Sequence, residues 1–349
     1  MNFTRESIFV GAVRALCTSL ATMLGIAIGI GLIVIGLTFV SGTQYLPPKS
    51  EPMIMPDAEG NRTLLSGNSP AILRIDLRGI IGIGDLTSDK IESVLLDSRE
   101  DFLRGDRVKA ILLYINTPGG AADDCATIYQ ALAHYKTKYN IPIYAYVDGM
   151  CASAGMYIAS VADKIYTSSS SVVGSVGVRL GPIFNFSGAM EKYGVSSLTL
   201  TQGKDKDALN PFRPWGPDED ADLKAIMATL YDQFLTVVTT ARPKLDKEKL
   251  INDYGAYVFI AKQAQELGYI DDGDMDYSKS LSALAAAAQI PEHDHYQVVQ
   301  LIPAHPFLSS LAQSMSPHKL LRSLGLSSPS SNPELSGKVL YMYEATLHR

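Results

Sequence analysis

The sequence predicts an α/β fold with a largely parallel sheet, preceded by one apolar helix long enough to cross a membrane. Three observations carry this. An uncharged run extends from Ala15 to Val40. Apolar, strand-like segments recur at Ile72–Leu77, Val108–Ile115 and Ile141–Val147. Between them, Asp89–Leu103 and Ala121–Lys138 have helical spacing, and a β-α-β-α-β order joins parallel neighbours through helical crossovers that cover the sheet.

The length of 349 residues allows roughly two globular units, or one with appendages. Lys plus Arg total 30 against 36 Asp plus Glu, a net charge of −6, and no basic block could track a phosphate backbone, so no nucleic-acid partner is expected. With 46% hydrophobic and 19% charged residues, the chain is not a disordered one. Cys17 sits in the apolar run; Cys125 and Cys151 could pair in an oxidising compartment, but nothing in their spacing demands a bridge, so two buried free thiols are the expectation.

Taken in order, the run from Ala15 to Val40 would span about 39 Å as a helix against a hydrocarbon core of about 30 Å. A cleavable signal peptide would have an apolar region of only about 7 to 15 residues and a small-x-small site, and Val40-Ser41-Gly42 is a poor one. Arg5 and Arg14 precede the span and Lys49 is the first charge after it. The positive-inside rule therefore puts residues 1–14 in the cytoplasm and everything after residue 41 outside it. Gly25 and Gly29 form a small-xxx-small pair within the span. Residues 41–70 are rich in Pro and Gly and read as a linker.

The globular domain is expected over residues 71–278. After the first three strands come short strands at Lys164–Thr167 and Leu198–Gln202 and a long amphipathic helix from about Asp218 to Thr240. Val258–Ile260 leads into a helix, Ala261–Leu267, closed by Gly268. Residues 279–349 turn Ala-rich and then Ser/Pro-rich, and read as a partly disordered tail that ends in a strand-like Val339-Leu-Tyr-Met-Tyr343.

Two segments offer chemistry. Asn116-Thr-Pro-Gly-Gly120 follows a strand and opens a helix, where glycine N–H groups can face an incoming oxygen. Asp148-Gly-Met-Cys-Ala-Ser153-Ala-Gly-Met-Tyr157 repeats that arrangement on the next strand. Ser153 stands among small neighbours with the Ala154 N–H beside it; the plainer role is an N-cap. Both turns leave adjacent parallel strands at the carboxyl edge, where open α/β sheets hold their sites.

A nucleophilic serine needs a base. His293, His295, His305, His318 and His348 lie in the tail, and His134 sits on the back half of a helix, so a Ser-His-Asp triad is poorly supplied. A lysine kept neutral by partial burial is the alternative, and Gln202-Gly-Lys204-Asp-Lys206 offers two. Elsewhere, His293-Asp-His295 reads as solvated rather than as a metal site, and Glu219-Asp-Ala-Asp222 as favourable charge at a helix start.

Several motifs in order resemble the short form of the signal peptide peptidase A family, membrane-anchored serine proteases of the Clp/crotonase-like fold. They are Ile72–Gly79, Asn116-Thr-Pro-Gly-Gly120, Ala152-Ser-Ala-Gly-Met-Tyr157, Ala162-Asp-Lys-Ile-Tyr166, Gly174-Ser-Val-Gly-Val178, Gly203-Lys-Asp-Lys-Asp207 and Gly255–Asp271. The resemblance implies Ser153 as nucleophile, with Ala154 where the family has Gly. It implies Lys206 as base, framed by Gly203 and Pro211, with Lys204 as runner-up, and Ser175 as the hydroxyl that orients the lysine. Gly119 or Gly120 would donate beside Ala154 to the oxyanion.

The expected function is thus a serine endopeptidase of the bacterial inner membrane, its catalytic domain extracytoplasmic, acting on residual signal peptides and other hydrophobic peptides. It would use no cofactor or metal, and the resemblance implies a homo-oligomer whose neighbouring subunits complete each site. The alternatives are a crotonase-like acyl-CoA hydratase or isomerase and a non-catalytic membrane scaffold.

Overall fold

The computed structural model describes residues 8–40, 49–291, 295–303 and 339–343, which fall into two units divided after Pro48. The first is a single helix, α1 (Ile8–Val40), in which Val10–Leu32 is long and apolar enough to cross a membrane. None of that stretch is buried by the protein, and a side chain at Gly25 or Gly29 would meet nothing.

The second unit is built on one nine-stranded sheet. Its strands are β1 (Glu51–Met55), β2 (Ala71–Ile81), β3 (Val108–Ala121), β4 (Ile143–Ala152), β5 (Lys164–Thr167), β6 (Val172–Gly174), β7 (Val258–Ile260), β8 (Gln297–Ile302) and β9 (Leu340–Met342). The spatial order is β1-β8-β2-β3-β4-β6-β7, with β5 also on β4 and β9 on β3. Pairs among β8, β2, β3, β4, β5 and β6 are parallel, whereas β1 on β8, β7 on β6 and β9 on β3 are antiparallel. The helices are α2 (Ser88–Asp97), α3 (Ala122–Tyr139), α4 (Ala154–Ala159), α5 (Ser187–Lys192), α6 (Ala221–Ala241), α7 (Lys247–Lys249), α8 (Ala261–Leu267) and α9 (Tyr277–Ala287).

Period two explains the layering. Along β2, Leu73, Ile75 and Leu77 enter the main core with Ile91 of α2, Ile128 of α3 and Phe234 of α6. Ile72 faces the opposite core with Leu281 and Leu284 of α9. Arg74 and Asp76 share that second face, where they form an ion pair at 2.6 Å and the guanidinium lies 3.9 Å from the Tyr114 ring centre. The polar half of the alternation is thus buried but paired. The Gly268 C-cap is left-handed, with φ 94°, as expected of a glycine stop.

Three expectations change. Leu198–Gln202 forms no strand: Leu198 and Leu200 are 83% and 86% exposed, because an alternating pattern pairs only where a free sheet edge lies alongside. The segment expected as linker supplies β1, which pairs with β8. Within the expected tail, β8 lies between β1 and β2, and β9 joins the far end of β3. Residues 304–338 and His293 lie outside the described residues. Cys125 and Cys151 are both buried and free.

Candidate active site

The register Ala152↔Gly174 between β4 and β6 brings Ser153 and Ser175, the next residues along each chain, to neighbouring positions at the same edge. The Ser153 N–H donates to the Gly174 carbonyl at 2.9 Å. Both serines are buried, and both have φ 56°, a left-handed backbone that non-glycine residues seldom adopt. Ser153 has ψ −114°, and its hydroxyl does not cap α4, so it is not the N-cap serine of the plainer reading. Such strain persists only where surrounding structure enforces it, and a sharp strand-to-helix turn of this kind can present a side chain for nucleophilic attack. Here α4 enforces it: all six of its residues are buried, and the Tyr157 N–H donates back to the Ser153 carbonyl at 3.0 Å.

On the other side of β4, the register Thr117↔Cys151 lays the end of β3 beside the Ser153 turn. A Cβ on Gly155 would come within 2.5 Å of the Thr117 side chain, so only glycine lets α4 sit this close. The Asn116–Gly120 segment is not the free turn that its composition suggests. Gly119 and Gly120 lie within β3, paired with Ile80 and Ile81 of β2 on one side and Met342 and Tyr341 of β9 on the other. The buried Thr117 hydroxyl accepts the Gly119 N–H at 3.0 Å and donates to the Gly79 carbonyl at 2.6 Å. The Ala154 N–H, at the first position of α4, has no carbonyl within the helix to bond.

Lys206 is exposed in the loop after Gly203, and among the described residues no hydrogen bond joins it to Ser153 or Ser175. Lys204 has a 93% exposed side chain and only a 3.7 Å contact with Asp205. Within one chain, Ser153, Ser175, Ala154 and the β3 glycines lie at neighbouring strand ends, and neither lysine is hydrogen-bonded to the serines among the described residues.

The Lys206 loop is nevertheless held by groups that the sequence did not single out. Arg213 pairs with Asp207 at 2.6 Å and with Glu219 at 2.6 Å, and Glu219 also accepts the Gly216 and Leu209 N–H groups. Hydrogen bonding to Arg213, with help from those two N–H groups, holds the Glu219 carboxyl down at about 2. Glu219 is thus a clamp on the loop and not simply charge at a helix start. The only sequence signal was an arginine flanked at six residues by acids on each side.

An apolar cavity of about 350 Å³ is lined by Val176, Val178, Met227, Tyr231 and Ala256, its lining starting one residue after Ser175 in the chain. A larger one of about 680 Å³ lies at the opposite end of β3, around Arg104, Arg107 and Lys109, and includes none of these residues. Among the described residues no cluster of His, Cys, Asp or Glu could hold a metal ion.

Residues 135–289 match the sequence model of Peptidase family S49, and residues 83–171 that of Clp protease. The segment that carries Ser153 is thus similar to peptidase family S49. A protein of Enterococcus faecium named "Putative signal peptide peptidase SppA" is 33% identical over 164 residues, 47% of this chain and 47% of that protein. Protease 4 of Salmonella typhi is 26% identical over 242 residues, 69% of this chain and 37% of that protein. The chain thus spans about half the length, or less, of these two relatives. Among solved structures, a membrane-bound stomatin-specific protease aligns with a TM-score of 0.40 and 18% identity, over 69% of this chain and 100% of that one. The S49 match takes in the Ser153 turn, Ser175 and Lys206; the Clp match takes in the β3 glycines and Ser153.

Proposed function

We propose that this protein is a membrane-anchored serine endopeptidase in which Ser153 is the nucleophile and Lys206, supplied by a neighbouring subunit, is the base. The observation that carries the reading is Ser153 itself: a buried serine in a strained backbone at the mouth of β4, uncommitted to capping, within an S49-type segment. Its Oγ attacks the scissile carbonyl while Lys206 Nζ takes the proton and returns it to the leaving amine. Ser175 orients the lysine. The Ala154 N–H and that of Gly120 stabilise the oxyanion, or that of Gly119 once it turns from the Thr117 hydroxyl that accepts it here.

The exposed position of Lys206 supports sharing between subunits, because a lysine base needs desolvation that its own chain does not provide. The substrates are hydrophobic peptides, residual signal peptides among them. Helix α1 anchors the enzyme in the bacterial inner membrane, with Arg5 and Arg14 on the cytoplasmic side and the peptidase unit outside, which confines enzyme and apolar peptide to one surface.

The test is hydrolysis of a fluorogenic hydrophobic peptide by wild type, by Ser153→Ala, by Lys206→Ala and by an equimolar mixture of the two variants. Each variant alone should be inactive and the mixture should recover activity through hybrid interfaces. An active Ser153→Ala chain refutes the nucleophile. No recovery in mixtures proven to exchange subunits refutes sharing.

A further inference from the structure

The cavity of about 680 Å³ at the start of β3 has no part in the proposed mechanism, yet its lining runs against the charge of the chain, which is −6 overall. Arg104, Arg107 and Lys109 line it together with Asp101 and Asp106. Both carboxylates are already committed. Asp101 receives Lys49 Nζ at 2.8 Å, and Asp106 is divided between Lys109 at 3.0 Å and Arg99 at 2.9 Å. Arg104 is exposed, and its side chain makes no hydrogen bond or ion pair among the described residues.

Arg107 decides how the cavity is read. It is 4% exposed, and arginine is almost never buried so far without a paired carboxylate. Here every hydrogen bond of the guanidinium goes to a carbonyl: Nε to Ser69 at 2.9 Å, Nη1 to Phe102 at 2.6 Å and Nη2 to Ser66 at 3.4 Å. Carbonyls fix its direction but do not neutralise it, and two of its five N–H groups are left over. Burial pushes its pKa below the usual arginine value, with no acidic neighbour to offset that. A buried charge without a counter-charge costs stability, and an anion in the cavity would supply the missing partner. Arg104 and Arg107 thus present two positive charges that no carboxylate takes up. That is the complement of a doubly charged phosphate monoester, whose oxygens suit the paired donors of guanidinium.

Phe102, Ile290 and Pro291 give the same cavity an apolar wall, and its volume is that of a site for a small organic molecule. We propose that this cavity binds an organic phosphate, its phosphate oxygens on Arg104 and Arg107 with Lys109 beside them, and its organic part against the apolar wall. A glycerol phosphate free in solution and the headgroup of an anionic phospholipid share this chemistry. Only residues 41–48 separate α1 from Lys49, whose ammonium holds the Asp101 side of the cavity, which is why the lipid source is tested beside the soluble one. The site lies at the opposite end of β3 from Ser153 and does not depend on the peptidase reading.

The test is isothermal titration calorimetry of the full-length protein in a neutral detergent at constant ionic strength. The probes are glycerol 1-phosphate and dihexanoylphosphatidic acid, with glycerol and dihexanoylphosphatidylcholine as controls that lack the double negative charge. At least one phosphate probe should bind saturably, one per chain, and the controls at least about tenfold more weakly. Tighter binding of the lipid probe assigns the site to a headgroup; tighter binding of glycerol 1-phosphate assigns it to a soluble ester. Arg104→Ala removes an exposed side chain without partners, so it should fold as wild type does and weaken binding about tenfold. Arg107→Lys keeps the charge but loses the paired donors and should weaken it by a similar factor. If that variant fails to fold, Arg104→Ala alone decides. Ser153→Ala should bind as wild type does. The proposal is overturned if neither phosphate probe binds saturably, if Arg104→Ala leaves the affinity unchanged, which would make Arg107 a brace for the surrounding carbonyls, or if Ser153→Ala abolishes binding, which would place the anion at the other end of β3.

Discussion

Replacing Ser153 by glycine should leave the protein as stable as, or more stable than, replacing it by alanine, the reverse of the usual order at a buried position. Both changes remove the hydroxyl, so its loss cancels in the comparison. At an unstrained buried site glycine is worse than alanine by about 0.5–1 kcal/mol of unfolded-chain entropy, plus about 0.8 kcal/mol for one buried carbon, together about 1.5 kcal/mol. At Ser153 the backbone, with φ 56° and ψ −114°, lies where a Cβ costs about 1–3 kcal/mol, and alanine keeps that cost while glycine sheds it. With a central strain of about 2 kcal/mol, glycine gains roughly 0.5 kcal/mol over alanine instead of losing 1.5. The readout is the urea midpoint of the two variants in the same detergent, followed by circular dichroism. With a slope of about 3 kcal/mol/M, the two expectations differ by roughly 0.7 M. Neither variant should hydrolyse peptide. A Ser153→Gly chain less stable than Ser153→Ala by about 1.5 kcal/mol would show that Ser153 carries no backbone strain, and the physical ground for reading it as a presented nucleophile would go with it.

Lys206→Ala and Lys206→Arg should each reduce kcat by on the order of 10³-fold, since arginine cannot surrender its proton, while Lys204→Ala and His134→Ala stay within a few-fold; the opposite pattern in steady-state kinetics would reassign the base. Arg213→Ala should free Asp207 and Glu219, lower kcat with little change in KM, and expose residues 203–219 to limited proteolysis. Because the Glu219 carboxyl is depressed from 4.5 to about 2, the clamp should hold fully above about pH 4.5 and be lost as pH falls through about 2; proteolytic release of the wild-type loop already at pH 6 would refute it. Asp271→Ala should cost about 3 kcal/mol in urea unfolding, because it strands the buried Arg242 guanidinium now 2.5 Å from the carboxylate. Burial opposes the Asp271 charge, but the Ile165 N–H, Lys164 and Arg242 outweigh it and hold the carboxyl below its usual range, so this stabilisation should fade in acid and stay constant near neutrality.

What the sequence determined by itself is what short-range patterns encode. An uncharged run makes α1, apolar segments in β-α-β order make the β2, β3 and β4 core, and glycine closes α8 at Gly268, because helix length, side-chain period and caps depend on neighbours a few residues away. Ser153 and the two β3 glycines were legible for a related reason: each ends or borders a strand whose direction the crossovers dictate, so they meet at one edge; Ser175 was legible only through the resemblance carried by Gly174-Ser-Val-Gly-Val178. Alternation, however, states only that a segment can pair, never with what. Leu198–Gln202 has the pattern and finds no edge, whereas Glu51–Met55, in a Pro-rich stretch, finds β8 some 250 residues away. Likewise Val339–Tyr343 was legible as a strand, but its landing on Gly119–Ala121 depends on an open edge and an aromatic pocket that exist only after α4 and α6 have packed. The left-handed backbone at Ser153 and the Arg213 clamp on the Lys206 loop belong to the same class. Strain is a property of what surrounds a residue, and an ion pair of which charges the folded loops bring within reach, so only the tertiary structure decided them.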